Sequence, residues 1–304
     1  MHDIVIIGGG PTGLSAALYA LRAGKSVLIL ENNSMGGQIA TSPRVENYPG
    51  IPVVSGLELT DSLLSQVMSS GGKVDLAETT GITDGTDKKT VHTTSGDYDA
   101  KSVIIATGAK HRKLGIDREE ALTGKGVSYC AVCDGAFFAG KPVAVSGGGN
   151  AALQDAILLA NTSPTVYLIH RRNTFRAEAV TVERIRKIPN ITLITDSKIT
   201  ALMGNDALEG IVVENLVDGT TRELQVNGLF VAVGFEPKND IFSNVARLDD
   251  KGWFASGEDC RTFTPGIFVA GDCRAKGVRQ LVTAVGDGAT AAVSACQYID
   301  CLPN

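Results

Sequence analysis

The sequence predicts an α/β protein in which one unit of alternating strands and helices is inserted into another. A glycine-rich turn between an apolar strand and a small-residue helix occurs at Gly8–Gly13 and again at Gly147–Ala152. Beyond the second unit, the pattern of the first returns at Gly266–Ala270, an apolar run that leads into another small-residue helix. We therefore place the first domain at residues 1–116 and 241–304, and the inserted domain at residues 117–240.

Length and composition agree with two domains of ordinary size. The chain has 304 residues, of which 43% are hydrophobic and 20% charged, as is typical of globular proteins. The net charge of −5 argues against nucleic acid as the main partner, and no apolar run reaches membrane-spanning length. The N-terminus lacks the basic leader of a signal peptide. We expect a cytoplasmic protein whose thiols are mostly reduced.

The first unit has the element order of a Rossmann-like fold. An apolar strand over residues 3–7 leads into the G-x-G-x-x-G turn at Gly8–Gly13, then a helix to about residue 23 and a second strand that ends at Glu31. The glycines let the backbone approach a pyrophosphate, whose charge is attracted by the helix N-terminus. Glu31 is placed to bind ribose hydroxyls. This order predicts a three-layer dinucleotide-binding domain rather than a simple glycine-rich turn.

The second unit repeats this order but differs where the ribose is recognised. The turn Gly147–Ala152 is G-x-G-x-x-A, and His170-Arg171-Arg172 replaces the acid, with Arg176 close behind. A carboxylate would repel a 2′-phosphate, whereas arginines bind one through charge-assisted hydrogen bonds. The second unit is therefore predicted to prefer NADPH, and the first a 2′-hydroxyl adenosine such as FAD. The alternative is that these arginines are ordinary solvated charges.

Further elements are predicted from apolar patterning. Asp272, after the apolar run that ends at Ala270, could accept a hydrogen bond from a sugar hydroxyl. Helices are predicted over 57–70, 177–187 and 281–299, strands near 73–77, 90–98, 102–106, 142–146, 165–169, 191–195 and 229–233, and a hairpin-like region over 208–226.

Between the two glycine motifs lies a C-x-x-C pair, Cys130 and Cys133, followed at once by Asp134. Such a pair can close as a disulfide and reopen as a dithiol, often with lowered thiol pKa values. The adjacent acid can give or take the proton that thiol–disulfide exchange moves. In a reducing compartment an adjacent cysteine pair is more often catalytic than structural. The sequence therefore favours a redox role over a structural disulfide.

A zinc site is the other hypothesis for this pair, and it needs further ligands that the sequence does not supply. A structural zinc normally takes a second pair of Cys or His ligands. The four histidines show no ligand spacing, so we expect no metal. No second C-x-x-C is formed by the remaining cysteines, Cys260, Cys273, Cys296 and Cys301. Cys273, Cys296 and Cys301 either have a second redox role or are small side chains of the kind that is usually buried.

Together these motifs resemble the bacterial low-molecular-weight NADPH-dependent thioredoxin reductases, which are flavoprotein disulfide reductases. The resemblance covers nearly the whole chain. Its most specific feature is the cysteine pair with Asp134, directly before the second glycine motif; in reductases of the glutathione reductase type the redox cysteines lie in the first domain. Further matching segments are Gly36-Gly37-Gln38, Val45–Gly50, Ala106–Ala109, His170–Ala177, Gly271-Asp272 and Arg279-Gln280.

The resemblance implies a homodimer that passes electrons from NADPH through FAD to the Cys130–Cys133 disulfide, and then to the disulfide of thioredoxin or a thioredoxin-like protein. By position, Cys133 is the sulfur that faces the flavin, Cys130 attacks the partner, and Asp134 is the acid. The positions that match FAD contacts are Gly8, Gly10, Pro11, Thr12, Gly13, Glu31, Gly37, Gln38, Asn47, Thr107, Gly108, Gly271, Asp272, Arg279 and Gln280. Those that match NADPH contacts are Gly147, Gly149, Asn150, Ala151, Ala152, His170, Arg171, Arg172 and Arg176.

One departure from the family pattern keeps alternatives open. Gln154 and Asp155 stand where the family usually has two acids, the first of them near the nicotinamide. Gln154 therefore favours a related FAD protein with a C-x-x-C pair that receives electrons from ferredoxin or acts as a dithiol oxidase. Arg171 and Arg172 count against that hypothesis. A flavin-bound redox sensor or binding module without turnover is a third hypothesis, which the intact cysteine pair disfavours.

Overall fold

The computed structural model describes residues 1–42 and 45–303; residues 43, 44 and 304, which fall in the predicted first domain, lie outside the described residues. The strands are β1 (His2–Ile7), β2 (Val27–Glu31), β3 (Lys73–Leu76), β4 (Thr79–Asp84), β5 (Lys89–Thr93), β6 (Gly96–Ile105), β7 (Lys110–His111), β8 (Val127–Ser128), β9 (Val143–Ser146), β10 (Val166–Ile169), β11 (Ile191–Ile194), β12 (Ser197–Met203), β13 (Gly210–Asn215), β14 (Thr221–Gln225), β15 (Gly228–Val231), β16 (Phe235–Glu236) and β17 (Ile267–Val269). The α-helices are α1 (Pro11–Arg22), α2 (Gly56–Ser69), α3 (Glu119–Leu122), α4 (Ala131–Asp134), α5 (Asn150–Leu159), α6 (Ala179–Ile185) and α7 (Leu281–Asp300).

The chain divides into two compact units. Unit 1 is Met1–Lys110 together with the chain from Pro237 onward, and unit 2 is His111–Glu236. The chain passes from one unit to the other after residues 110 and 236. The sequence prediction placed these two boundaries after residues 116 and 240.

Unit 1 is built on a parallel sheet in the order β3-β2-β1-β6, and β17 pairs with the carboxyl half of β6. The amino half of β6 continues into an antiparallel extension with β5 and β4. Successive residues of the parallel strands point to opposite faces of the sheet, and both faces are buried, as expected for a sheet that is covered on both sides. One face packs on α1 and α7 through residues such as Ile4 and Ile29. The opposite face packs on Phe242 and Phe254.

Unit 2 repeats the parallel arrangement in a five-stranded sheet of order β11-β10-β9-β15-β8. One face of this sheet packs on α5 through Val143 and Leu153. The other face packs on an antiparallel sheet of β12, β13 and β14, through residues such as Ile211 and Leu229. Both units are thus layered around a parallel sheet in which one strand, β1 or β9, leads into a glycine turn. The predicted α/β class with two Rossmann-like units is confirmed.

Two of the predicted strands are wrong in their bounds. Residues 90–98 form a hairpin rather than one strand, because β5 ends at Thr93, and Gly96, at φ 130°, opens β6. The strand predicted at 102–106 is the carboxyl half of the ten-residue β6. Strands β4 and β12 and the two-residue strands β7, β8 and β16 were not predicted at all. None of these differences affects the glycine turns.

Within the described residues, no helix is both long and apolar enough to cross a membrane.

Candidate active site

The first glycine turn can be formed only by glycine at two of its positions. Gly8 has φ 112°, and a Cβ there would lie 2.4 Å from the carbonyl oxygen of Ala106. A Cβ on Gly13 would lie 1.9 Å from the carbonyl oxygen of Gly8. Helix α1 begins directly after Gly10 with Pro11 in its first turn, and no side chain caps its N-terminus. The turn therefore offers the uncapped end of a twelve-residue helix to an anion.

Glu31 lies at this turn, as the sequence predicted for a ribose-binding acid. Its Oε2 accepts a hydrogen bond from Gly9 N at 2.7 Å, and its Oε1 accepts one from Asn33 N at 3.0 Å. Each carboxylate oxygen keeps lone-pair capacity for a sugar hydroxyl. Gly37, at φ 58°, lies against Gly10, because a Cβ on Gly37 would be 3.3 Å from Gly10 Cα. The glycine turn, the acid and the Gly37 loop are therefore brought together.

The turn after β17 carries a buried oxygen atom without a partner. Asp272 follows Gly271, which has φ 80°, and Asp272 Oδ1 has no hydrogen-bond partner among the described residues. Burial raises the pKa of Asp272 to about 6, although the charges of Lys276 and Arg279 lower it. A buried, unpaired carboxyl oxygen is costly unless a ligand group binds it. Asp272 therefore fits a hydroxyl-bearing cofactor such as FAD.

The other residues predicted to contact FAD lie near these turns. Thr12 touches the Asp272 turn, since a Cβ on Gly271 would be 2.3 Å from Thr12 Oγ1. Arg279 donates to the carbonyl oxygen of Asp272 at 3.1 Å, and Asn47 Nδ2 donates to Gln280 Oε1 at 3.3 Å. Three more stand on neighbouring loops: Gln38, which donates to the Ala109 carbonyl; Thr107, whose hydroxyl lies 3.5 Å from Asn239 Oδ1; and Gly108, at φ 68°.

Sequence reasoning missed four residues of unit 1 that fix these turns. Asn239 Nδ2 donates to the carbonyl oxygens of Gly252 and Cys273, at 2.9 and 3.0 Å. The other three are Arg274, Lys276 and Asp287, which form an ion cluster beside the Asp272 turn. Asp287 carried a signal, because it is the one charged residue of α7 before the last position, Asp300. A lone charge in a helix of small and apolar residues marks a specific partner.

In unit 2 the second glycine turn has the same backbone geometry. Gly147 has φ 159°, and a Cβ there would lie 2.5 Å from the Ala232 carbonyl oxygen and 2.6 Å from Ala152 Cβ. Helix α5 begins after Gly149 without a side-chain cap. Asn150, in its first turn, accepts a hydrogen bond from Glu178 N at 2.8 Å. Ala152 thus fills the position of the third glycine and leaves the helix N-terminus open, as it is in unit 1.

The predicted phosphate-binding arginines stand beside this turn. Arg171, Arg172 and Arg176 are exposed, and none forms an ion pair with any residue of the described chain. Arg176 N donates to the Gly148 carbonyl oxygen at 2.7 Å, which holds the arginine segment to the glycine turn. Burial lowers the pKa of His170, and the charges of the three arginines lower it further. The three arginines therefore lie close to His170 and to the second glycine turn.

His170 is placed differently from the sequence expectation of a nucleotide contact. It is buried, its ring is stacked on Phe175, and its Nε2 lies 3.1 Å from the Thr174 carbonyl oxygen. A Cβ on Gly148 would lie 2.2 Å from the His170 ring. The imidazole thus packs beneath the glycine turn and supports it.

The cysteine pair forms a disulfide at the start of α4. Cys130 is the residue before the helix, and its Sγ accepts a hydrogen bond from Cys133 N at 3.2 Å. Both cysteines are partly exposed. Ser128 Oγ donates to Asp134 Oδ2 at 2.6 Å and accepts from Cys130 N at 3.1 Å. Burial raises the pKa of Asp134, and the Ser128 hydrogen bond lowers it. Ser128, which the sequence did not single out, joins the acid to the backbone of Cys130.

Tyr129, directly before the cysteine pair, is held in place by Glu119 and His111. Its hydroxyl donates to Glu119 Oε1 at 2.9 Å, and its ring lies 5.2 Å from that of His111. Glu119 is 2% exposed and also accepts hydrogen bonds from Leu114 N and Gly115 N, each at 2.9 Å. These contacts hold the backbone that leads into Cys130.

The two positions that depart from the family pattern differ in environment. Gln154 is exposed on α5 and lines a surface groove with Ile157 and Arg184. Asp155 is partly buried, and this burial raises its pKa to about 6. An uncharged side chain therefore occupies the first position, and an acid whose pKa is raised by burial occupies the second.

Gly10 and Gly149, which directly precede helices α1 and α5, can be replaced by alanine without disturbing the fold. Gly10 has φ −76° and only Gly37 Cα, at 3.9 Å, near a new Cβ; Gly149 has φ −97° and nothing within 4 Å. We expect Gly10→Ala to change the free energy of unfolding by less than about 1 kcal/mol. Because a methyl group there would meet the pyrophosphate, FAD affinity should fall about tenfold or more. Gly149→Ala should instead raise KM for NADPH.

These two variants serve as controls for each other. Flavin retention on dilution and KM for NADPH are measured for both, with thermal unfolding of each. An equal loss of FAD in the two variants would contradict the assignment of one nucleotide to each turn.

Comparison with known proteins agrees with this geometry. The family model for pyridine nucleotide-disulphide oxidoreductases matches residues 2–288. A thioredoxin reductase from Listeria monocytogenes is 40% identical over 301 residues, which cover 99% of this chain and 94% of the relative. One from Treponema pallidum is 40% identical over 304 residues, which cover 100% and 99%. The crystal structure of thioredoxin reductase from Streptococcus pyogenes is 39% identical, covers 99% of both chains and superposes with a TM-score of 0.94. The chain therefore belongs to the pyridine nucleotide-disulphide oxidoreductase family, as a relative of the thioredoxin reductases.

Proposed function

We propose that this protein is an NADPH-dependent thioredoxin-disulfide reductase. The observation that carries the proposal is the Cys130–Cys133 disulfide with Asp134 bound through Ser128 to the backbone of Cys130. The three full-length relatives compared above are thioredoxin reductases. The substrate is the disulfide of thioredoxin or of a thioredoxin-like protein.

We assign the two cofactors of the family to different units. FAD would be held in unit 1 by the Gly8–Gly13 turn, Glu31 and Asp272. NADPH would be held in unit 2 by the Gly147–Ala152 turn, with its 2′-phosphate on Arg171 and Arg172. When bound, the flavin accepts hydride from the nicotinamide and supplies an electron pair for the disulfide. The protein's own part is to bind the two nucleotides, to position the sulfur atoms and to move protons.

The cysteine pair performs the exchange with the protein substrate. Two electrons and two protons convert the Cys130–Cys133 disulfide into two thiols. The Cys130 thiolate attacks one sulfur of the substrate disulfide and forms a mixed disulfide, and the substrate's other sulfur leaves as a thiolate that takes up a proton. Cys133 then attacks Cys130 Sγ, which restores the disulfide and releases the second substrate thiol. The hydrogen bond from Cys133 N to Cys130 Sγ stabilises negative charge on that sulfur, which suits it to attack.

Asp134 supplies and removes protons in this exchange. Because burial raises its pKa, it is protonated over a wider pH range than an exposed aspartate. As an acid it can give a proton to a departing thiolate, and as a base it can take one from a cysteine thiol. Ser128 keeps its Oδ2 close to the cysteine backbone while this occurs.

The remaining parts of the proposal concern the surroundings of the enzyme. We propose a homodimer in the cytoplasm, with no nucleic acid or membrane partner. The net charge of −5 supports the absence of a nucleic-acid partner.

Anaerobic mixing tests the electron donor. NADPH should bleach the yellow flavin rapidly, whereas NADH should do so slowly, because only the 2′-phosphate binds the arginines. Adding oxidised thioredoxin should then restore the colour. If neither nucleotide bleaches the flavin, NADPH is not the donor.

The alternative proposal rests on Gln154, which replaces an acid near the nicotinamide site. A related FAD protein could receive electrons from ferredoxin or oxidise dithiols. Bleaching by reduced ferredoxin or by a dithiol, with none by NADPH, would favour it.

A further inference from the structure

One carboxylate oxygen in unit 1 holds three donors from a single turn. Asp287 Oδ2, on α7, accepts hydrogen bonds from Gly271 N at 2.9 Å, Arg274 Nη1 at 2.7 Å and Lys276 Nζ at 3.0 Å. The Arg274 side chain is 3% exposed, and those of Lys276 and Asp287 are 14% exposed. Such buried, charge-assisted bonds constrain geometry more than exposed ion pairs do. Asp287 therefore fixes the conformation of residues 271–276.

The same turn is held from its other side. Arg274 Nε donates to Ser256 Oγ at 2.9 Å, and its Nη2 donates to the Gly257 carbonyl oxygen at 2.5 Å. Arg279 donates to the carbonyl oxygens of Arg274 and Asp272, at 2.9 and 3.1 Å. The backbone on both sides of Asp272 is thus fixed, while its buried Oδ1 has no partner among the described residues.

This contrast points to a ligand rather than to packing alone. An ion cluster that served only to attach α7 to the loop would not need a buried, unpaired carboxyl oxygen beside it. Such an oxygen costs free energy in the ligand-free protein, and a hydroxyl donor would recover that cost.

The charges around Asp272 are also set by this cluster. The groups that act on its carboxyl are Lys276, Arg279 and Asp287, of which the two cations lower its pKa and Asp287 raises it. Removing Asp287 or Lys276 should therefore shift the titration of Asp272 in opposite directions.

We propose that Asp287 is a positioning residue of the flavin site, which holds the Gly271–Asp272 turn so that the free oxygen of Asp272 binds a hydroxyl group of FAD. This inference rests on the proposed function, since it takes FAD to bind in unit 1. Asp287 itself touches backbone, Arg274 and Lys276, and acts through Asp272.

Release of FAD from the diluted full-length holoenzyme, followed by flavin fluorescence between pH 5 and pH 8, tests this proposal. Asp287→Asn should raise the FAD dissociation constant about tenfold at pH 7.5, as expected for the loss of one charge-assisted hydrogen bond. In the wild type, affinity should fall as pH drops through about 6, because protonated Asp272 accepts the hydroxyl less well. Asp287→Asn should move that midpoint to lower pH, and Lys276→Gln should move it to higher pH.

The matched control is Asp300→Asn, because Asp300 is an aspartate at the other end of α7 that pairs with Lys25. It should leave both the affinity and the midpoint unchanged. Asp272→Asn should remove the titration near pH 6. A merely structural role for Asp287 would lower thermal stability but leave the FAD dissociation constant at pH 7.5 at its wild-type value.

The possible failures are distinguishable. If the FAD dissociation constant of Asp287→Asn matches that of Asp300→Asn within about twofold, while Asp272→Asn weakens FAD binding, the inference is overturned and the flavin site stands. If Asp272→Asn releases FAD like the wild type, the flavin site itself is misplaced. Should Asp287→Asn fail to fold, Asp287→Glu decides, because it keeps the charge but displaces the carboxylate from Gly271 N and Arg274. Wild-type FAD affinity in that variant overturns the inference.

Discussion

Replacing Cys130 with serine is expected to abolish reduction of thioredoxin and to leave reduction of the flavin by NADPH at the wild-type rate. Serine matches the size of cysteine but cannot form a mixed disulfide, so the exchange has no first step. Turnover with thioredoxin should fall at least about a thousandfold, the scale on which removal of a catalytic nucleophile acts. Stopped-flow absorbance of the flavin and steady-state thioredoxin assays measure the two halves separately.

An electron count sharpens this prediction. Anaerobic titration should show the wild-type protein accepting two electron pairs, one for the flavin and one for the disulfide, and Cys130→Ser accepting one. Cys301→Ser is the matched control, because Cys301 is an exposed free cysteine; it should behave as the wild type. Thioredoxin turnover that survives in Cys130→Ser would show that another thiol serves as the nucleophile.

Replacing Arg171 and Arg172 together with alanine is expected to remove most of the preference for NADPH over NADH. A hydrogen bond to a charged group contributes about 1.5–3 kcal/mol, and both side chains are exposed, so solvent screening favours the lower value for each. The ratio of kcat/KM for NADPH to that for NADH should therefore fall about a hundredfold, since each 1.4 kcal/mol is a factor of about ten. Because NADH has no 2′-phosphate, its kcat/KM should change little.

Arg186→Ala provides the control for this variant, since it removes another exposed cation of unit 2 at the end of α6. Comparison of the two variants separates the loss of a local contact with the phosphate from a general loss of positive charge. A double variant that keeps the wild-type nucleotide preference would place the 2′-phosphate elsewhere.

Features encoded by short, contiguous patterns were predictable from the sequence. The turn Gly8–Gly13 lies between a buried strand and a helix of one thirty-residue segment, so its motif can be identified there, although Gly8 also packs against distant Ala106. Glu31 follows from that segment because parallel strands end at the same edge of the sheet. The cysteine pair and Asp134 were identified in the same way, since their chemistry depends on residues four positions apart or fewer.

The remaining features depend on contacts between distant parts of the chain. Asp287 meets Gly271 across sixteen residues and has no motif of its own. Asn239 meets Thr107 across 132 residues. The hairpin of β5 and β6 was missed because Thr94-Ser95-Gly96 lacks the Asn-Gly or Asp-Gly pair that marks two-residue turns, and β-branched residues precede it. Sequence patterns therefore identified the glycine turns but not the side chains that hold them in place.

The burial of His170 beneath the second glycine turn has a consequence in acid. Because its pKa is lowered by burial and by the neighbouring arginines, His170 stays neutral at physiological pH and adds no charge to the proposed phosphate site. Arginines remain protonated throughout the biological pH range. His170 therefore keeps the charge on the protein's side of the site constant to a lower pH than an exposed histidine would, whereas a phosphate monoester loses its second proton near pH 6. Mild acidification would therefore weaken binding at the proposed site through protonation of the coenzyme's 2′-phosphate.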